Sequence, residues 1–192
     1  MDKNELLYDH FKESYSLHLE EKKKRDTSFV MLCVGITLLF CFFLDPIGVF
    51  ESIHEMVKEH FSLEIPFAST IIQSFVWIMV LYFFIRYFQT NIYIERQYKY
   101  LGELEKSISH NYEIKFDRES KDYEDNHPMI LWIIHKIYIW IFPIFAILVI
   151  VLKIYFEAMN ITNIMSFIFN TIVASIIIIM NIFYLIFIFI KK

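Results

Sequence analysis

IMSFIFNTIVASIIIIMNIFYLIFIFI, residues 164–190, contains no charged side chain and ends directly before Lys191 and Lys192. A helix of about 20 apolar residues crosses the ~30 Å hydrocarbon core of a bilayer, so this segment is long enough to span it with some tilt. Three further stretches share its apolar character, and they lie at 27–44, 66–88 and 129–152. The pattern predicts an all-α integral membrane protein with four transmembrane helices.

The composition favours the same fold class. Of the 192 residues, 57% are hydrophobic and 19% are aromatic, whereas an ordinary soluble domain is about 45–50% apolar. With only 3 glycines and 4 prolines, the chain is poor in the turn residues that a β-rich fold needs. Both cysteines, Cys33 and Cys41, lie in the first apolar stretch, and we interpret them as small buried side chains.

The segments between the apolar stretches carry most of the charge. Residues 1–26 are predicted to form a cytoplasmic amphipathic helix, because apolar side chains recur in them every four residues. Residues 45–65 are predicted to be an external loop with a short interfacial helix at Phe50–Phe61. Residues 89–128 are predicted to be a cytoplasmic helix and loop, and residues 153–163 a second external loop.

Lysine and arginine are distributed unevenly between these segments. If the N-terminus is cytoplasmic, sixteen of the 18 Lys and Arg residues lie on the inside, and only Lys58 and Lys153 lie on the outside. Cytoplasmic segments of membrane proteins are enriched in Lys and Arg. The distribution therefore predicts that both termini are cytoplasmic.

The sequence lacks the patterns of a catalytic or metal site. His54 and His60 are six residues apart, a spacing that places them on different faces of a helix. No Cys/His cluster has the spacing of a zinc site, and there is no glycine-rich phosphate loop or nucleophile elbow. The cytoplasmic segments are also short for an independent catalytic domain. We therefore expect no enzymatic activity and no metal or cofactor.

Polar side chains recur along one face of the fourth apolar stretch, and a shorter polar stripe lies on the second. Polar groups in hydrocarbon are costly unless they find partners. Two interpretations remain open: a water-facing pore wall, or side chains that hydrogen-bond across a dry helix–helix contact. The pore-lining candidates are Asn163, Ser166, Asn170 and Ser175 on the fourth stretch, with Gln73 and Ser74 on the second.

A short cytoplasmic segment, YIERQYKYL at 93–101, places cations beside aromatic rings. Arg96, Lys99 and Tyr100 are therefore candidates for binding an anionic ligand, since cations pair with phosphates and aromatic rings stack on bases. The alternative is an ordinary surface helix with solvated charges and inward-packed tyrosines. Non-specific nucleic-acid binding is not expected, because acidic residues accompany the cations in the predicted cytoplasmic segments.

Three segments in the middle of the chain carry a resemblance to a known family: YIERQYKYLGELEKSI at 93–108, FDRESKDY at 116–123 and HPMILWIIHKIYIWIFP at 127–143. In their order and spacing they resemble small four-span membrane effectors of bacterial phage-defence loci, in particular the membrane subunit of the Hailong system. The resemblance implies a tetrameric, channel-like effector in the bacterial inner membrane. It also implies gating by short DNA oligomers that a partner nucleotidyltransferase makes, and opening that depolarises the infected cell.

Two functions are consistent with these observations. The first is a homo-oligomeric pore-like effector gated by a cytoplasmic nucleotide or oligonucleotide, with polar walls on spans two and four. The second is a non-conducting membrane anchor or scaffold for a soluble partner protein. Ion flux on expression of the chain would distinguish them.

Overall fold

The computed structural model describes residues 3–62, 69–112, 129–161 and 163–190. The predicted loop at 113–128 and the predicted start of the second span at 66–68 lie outside these ranges. The described residues are almost entirely helical and contain no β-strand, which confirms the all-α prediction for them. The elements are α1 (Lys3–Leu44), α2 (Pro46–Phe61), α3 (Ser69–Tyr112), α4 (Met129–Lys136), a π-helical segment (Ile137–Ile141), α5 (Phe142–Met159) and α6 (Ile164–Ile190).

Four helical stretches are long and apolar enough to cross a membrane: one each within α1, α3 and α6, and one formed by Ile137–Met159. This agrees with the four predicted spans and is compatible with a multi-pass membrane protein. Helix α1 joins the predicted amphipathic helix and the first span without a break. The run Lys22–Arg25 between them consists of good helix formers, and the first proline of the chain is Pro46.

Helix α2 begins earlier than the predicted interfacial helix. Asp45 caps it, because its Oδ1 accepts a hydrogen bond from the backbone N–H of Gly48 at 2.9 Å, and Pro46 occupies the first turn, where its missing N–H costs nothing. The helix ends at Ser62, which takes a left-handed conformation with φ of 54°. The Asp-Pro pair that ends α1 thus also starts α2.

Helix α5 ends later than predicted. Residues 153–159 were expected to be part of an external loop, but they continue the helix to Met159. This stretch contains two charged residues, Lys153 and Glu157, and charged side chains are costly in hydrocarbon unless they are paired. In the structure these residues form an i,i+4 ion pair with an N···O distance of 3.3 Å, so the charges compensate each other within the helix.

The π-helical segment Ile137–Ile141 lies two residues before Pro143, in the turn that a proline disturbs. Proline has no N–H, so a carbonyl in the preceding turn loses its donor. The Tyr87 hydroxyl donates a hydrogen bond of 2.6 Å to the carbonyl of Tyr138 within this segment. A side chain from α3 thereby satisfies a carbonyl in the irregular turn.

The chain divides into two compact units. Unit 1 comprises residues 1–28 and 86–139. Its hydrophobic core is formed by Phe11 of α1 with Leu101 and Ile108 of α3. Apart from the adjacent pair Tyr87 and Phe88, buried positions of α3 in this unit recur at steps of three, four or seven residues, the spacing with which paired helices pack. They are Tyr87, Phe88, Asn91, Ile94, Leu101, Glu105 and Ile108.

Unit 2 comprises residues 29–85 and 140–192 and contains the most apolar parts of the chain. Within it α5 packs against α6. Helices α1 and α3 approach closely at Gly35, since a Cβ built there would lie 2.6 Å from Cγ2 of Val80. Val80 is fully buried and its branched side chain has little freedom to move away. The α1–α3 contact therefore depends on a glycine at position 35, because glycine has no Cβ.

Gly35→Ala tests that contact. We expect it to lower the free energy of unfolding by about 1–3 kcal/mol, because the added methyl group overpacks against Val80. The matched control is Gly102→Ala, where no atom lies within 4 Å of the added Cβ. The control should raise stability by about 1 kcal/mol, since alanine is the better helix former. Denaturant titration of the purified protein, followed by circular dichroism, measures both. Equal effects of the two substitutions would contradict the close approach.

Candidate functional site

A cluster of polar side chains lies inside unit 2, between α3, α5 and α6. Its charged members are Lys153 and Glu157 of α5, whose side chains are 7% and 13% exposed. The two charges are one helical turn apart and 3.3 Å from each other. Ionised side chains within apolar segments are rare, and they commonly mark ion or substrate paths. This pair is therefore the centre of the candidate site.

The Glu157 carboxylate also accepts hydrogen bonds from two amides on other helices. Gln73 of α3 donates from Nε2 to Oε1, and Asn170 of α6 donates from Nδ2 to Oε2 at 3.3 Å. Ser74 of α3 completes the cluster by donating from Oγ to Oδ1 of Asn170 at 2.9 Å. Both carboxylate oxygens are thus bonded, and three helices meet at one charge.

The cluster lies near one end of the apolar segments. Asn170 is six residues after Ile164, the first residue of α6, which corresponds to about 9 Å of helix. Gln73 is four residues into α3 as the structure describes it. With one cation and one carboxylate the cluster has no net charge, which lowers the cost of placing it in an apolar setting. Its amide and hydroxyl groups supply dipoles that can solvate a small ion, a proton or water.

The structure brings together half of the predicted pore-lining residues. Gln73, Ser74 and Asn170 form the cluster, and Asn170 is only 3% exposed. Ser74 bonds Asn170 directly, and Gln73 and Asn170 both bond Glu157, which is the form expected for polar contacts between helices.

The other three pore-lining candidates lie elsewhere. Asn163 caps α6, since its Oδ1 accepts from the backbone N–H groups of Met165 at 3.0 Å and Ser166 at 3.2 Å. The Ser166 side chain is half-buried, and Ser175 is exposed. The Ser175 hydroxyl donates to the carbonyl of Thr171 in its own helix at 2.7 Å. These residues do not join the cluster.

Sequence reasoning missed the two charged members of the site. Both residues fall in the stretch 153–163, which the sequence analysis predicts to be an external loop. One signal pointed the other way: opposite charges four residues apart stabilise a helix. Asn181, further along the polar face of α6, is fully buried and bonds the carbonyl of Ile177 at 2.9 Å through Nδ2. Its Oδ1 has no hydrogen-bond partner among the described residues.

The ligand-binding candidates lie on the surface of α3 in unit 1. Arg96 and Lys99 are exposed. Tyr100 is 40% exposed, and its hydroxyl is hydrogen-bonded to Nε2 of His10 on α1 at 2.6 Å. The three side chains lie within five residues and form a small cationic and aromatic surface. No group of acidic, histidine or cysteine side chains within the described ranges could hold a metal ion.

A buried histidine lies beneath this part of unit 1. His18 of α1 is fully buried, and its ring lies edge-on against Tyr98 of α3 with 4.8 Å between the ring centroids. Burial, with the nearby cations Lys22 and Arg25, lowers the pKa of His18 to about 4. The imidazole is therefore neutral at neutral pH. Lys22 lies over the Tyr98 ring, with its Nζ 5.0 Å from the ring centroid.

The chain matches no protein-family model, no curated protein and no solved structure. Its two candidate sites are therefore defined by geometry: the polar cluster around Glu157 in unit 2, and the cationic surface around Arg96 in unit 1. The first offers a buried charge among apolar helices. The second offers exposed donors to an anion in solution.

Glu157→Gln tests the buried ion pair. Removal of one partner leaves Lys153 charged and uncompensated, so we expect the free energy of unfolding to fall by about 3–5 kcal/mol. Lys153→Met combined with Glu157→Gln removes both charges and should recover most of this loss. The matched control is Glu20→Gln, which removes one of the two carboxylate partners of Lys24 from an exposed pair of the same i,i+4 spacing and should have little effect. A double variant no more stable than Glu157→Gln would show that the pair is not coupled.

Proposed function

We propose that the chain is an oligomeric, pore-like effector of a bacterial inner membrane, with both termini in the cytoplasm. In this proposal a nucleotide or short single-stranded DNA binds the surface of α3 in unit 1 and opens an ion path. The observation that carries the proposal is the ion pair of Lys153 and Glu157, bonded to Gln73 and Asn170 within unit 2.

The energetics of the cluster favour a conducting function over a purely structural one. Neutral amides and hydroxyls are sufficient to join helices in a membrane, at about 0.6–2 kcal/mol per contact. A buried ion pair adds a desolvation cost that its attraction often fails to repay, and apolar replacements are frequently as stable. Charge in such a place is typical of proteins that move ions or protons.

The cytoplasmic orientation is supported by the distribution of Lys and Arg. It places Arg96 and Lys99 on the cytoplasmic side, where nucleotides are found. Both side chains are exposed and lie beside Tyr100, so a phosphate and a base have adjacent partners. The resemblance to phage-defence effectors favours an oligonucleotide made by a partner nucleotidyltransferase. It also favours a homotetramer, in which the two cations would be present four times.

A second function, a non-conducting anchor for a soluble partner, is favoured by one observation. Both carboxylate oxygens of Glu157 accept hydrogen bonds from side chains of its own chain. The cluster therefore needs no second copy to satisfy it, and a monomer could hold a partner protein at the membrane. Ion flux distinguishes this function from the pore.

The flux experiment compares cells that express the chain together with its genomic neighbours, before and after phage challenge. A potential-sensitive dye should report depolarisation with the native chain. Lys153→Met with Glu157→Gln removes both charges from the cluster and leaves its net charge at zero. We expect the rate of depolarisation to fall about tenfold, which corresponds to a barrier increase of about 1.4 kcal/mol.

The control for this experiment is Thr37→Leu, at an exposed position of α1 whose hydroxyl donates to the carbonyl of Cys33 in its own helix at 2.8 Å. It should depolarise like the native chain. Chemical cross-linking establishes whether each variant still assembles. A membrane potential that never changes, although the native protein is inserted and its neighbours are present, would exclude the pore and favour the anchor.

Ligand binding is tested separately by calorimetry on the purified full chain with a short single-stranded deoxyoligonucleotide. Arg96→Ala with Lys99→Ala should weaken binding by at least about tenfold, since charge-assisted hydrogen bonds contribute about 1.5–3 kcal/mol each. Lys12→Ala with Lys106→Ala removes the same charge from exposed positions of the same unit. This control should bind like the native chain. Equal losses in the two variants would show that only net charge matters, and unchanged affinity in the first would remove the site.

A further inference from the structure

Three segments of unit 1 that are distant in sequence meet at Tyr138. The Arg25 guanidinium of α1 lies over the Tyr138 ring, with its carbon 4.7 Å from the centroid. Tyr87 of α3 donates to the Tyr138 carbonyl at 2.6 Å. Through these contacts, two segments lie next to residues 136–138. They are residues 20–26 of α1 and residues 86–87 of α3.

These segments are rich in cations, and we name them together the basic belt. The belt contains six cations, Lys22, Lys23, Lys24, Arg25, Arg86 and Lys136, and three acids, Glu20, Glu21 and Asp26. Six minus three leaves a net charge of +3. Lys24 is paired with Glu20 and Glu21 at 2.9 Å, and Arg25 with Asp26 at 2.8 Å. Lys23 and Arg86 are exposed.

Each segment of the belt lies at the end of an apolar stretch. The stretch 27–44 begins directly after the first segment, 69–85 ends directly before Arg86, and 137–152 begins directly after Lys136. In a spanning helix this is the depth of the lipid headgroups, where long cationic side chains extend into the polar layer. Tyr87 and Tyr138 have the amphipathic rings that are common at that depth.

We infer that the basic belt binds the headgroups of anionic phospholipids. The belt is cationic, lies at headgroup depth in all three crossings that enter unit 1, and presents Lys23 and Arg86 to the surroundings. Clusters of four to eight Lys and Arg beside a spanning helix commonly bind anionic lipid, because each cation near a negatively charged surface contributes attraction. The belt requires that the helices span a bilayer, but it does not require that the protein conducts ions.

The test measures lipid selectivity of the full chain in phosphatidylcholine vesicles by electron spin resonance. Spin-labelled phosphatidylglycerol is compared with spin-labelled phosphatidylcholine, and the immobilised fraction of each gives their relative association with the protein. We expect phosphatidylglycerol to be preferred several-fold. Lys23→Gln with Arg86→Gln should lower this preference, by up to about fivefold for each charge removed. Lys12→Gln with Lys106→Gln, which makes the same change in net charge away from the belt, should leave it unchanged.

Salt provides a second measurement that does not depend on the variants. In about 1 M NaCl the Debye length is about 3 Å, so the preference of the native chain should disappear. Equal association of the two lipids at low salt, a preference that persists at high salt, or an equal loss in the control variant would each overturn the inference. A chain that is washed from the vesicles by carbonate would overturn it together with the proposed membrane function. A preference for phosphatidylglycerol without depolarisation in the flux experiment would retain the lipid site and reject the pore alone.

Discussion

The carboxylate of Glu157 is the charge on which the arrangement of unit 2 depends. It is bonded to Lys153 in its own helix, to Gln73 in α3 and to Asn170 in α6. Helices surrounded by hydrocarbon gain little from burying apolar surface against one another, so close packing and polar contacts determine which faces meet. A single carboxylate bonded from three helices fixes the rotation of each, and the small residue Gly35 permits the α1–α3 approach that accompanies it.

Unit 1 has the opposite pattern, because its helices carry an apolar stripe among charged residues. Phe11, Leu101 and Ile108 form a core of the kind that the hydrophobic effect stabilises in water. His18 of the same unit is fully buried against Tyr98, and burial lowers its pKa.

The sequence was sufficient to predict the number and type of the long helices. A span is defined by length and hydropathy, which are local properties, and the fourth apolar stretch lies in a single helix, α6. The end of α5 was not predictable in this way, because Lys153 and Glu157 mark the end of a span unless their partners on other helices are known. The polar cluster was predicted only in part, because its membership also depends on contacts with other helices. Which polar side chains meet depends on helix rotation, so the stripe on α6 divides into Asn170 inside the cluster and Asn163 in a cap.

The charge of the cluster is the feature that an anchor function explains least well. Asn170 and Ser74 alone would join α3 to α6 with one neutral hydrogen bond, and an apolar pair in place of Lys153 and Glu157 would avoid the desolvation of two ions. A path for ions has a use for fixed opposite charges, since they determine which ions enter an apolar constriction and how long they stay. Lys153 and Glu157 are paired within α5, so under the proposed function conduction would require that the two side chains separate. Ligand binding at a distance from the cluster can bring that about only by favouring a second arrangement of α3, the helix that contains both Gln73 and Arg96.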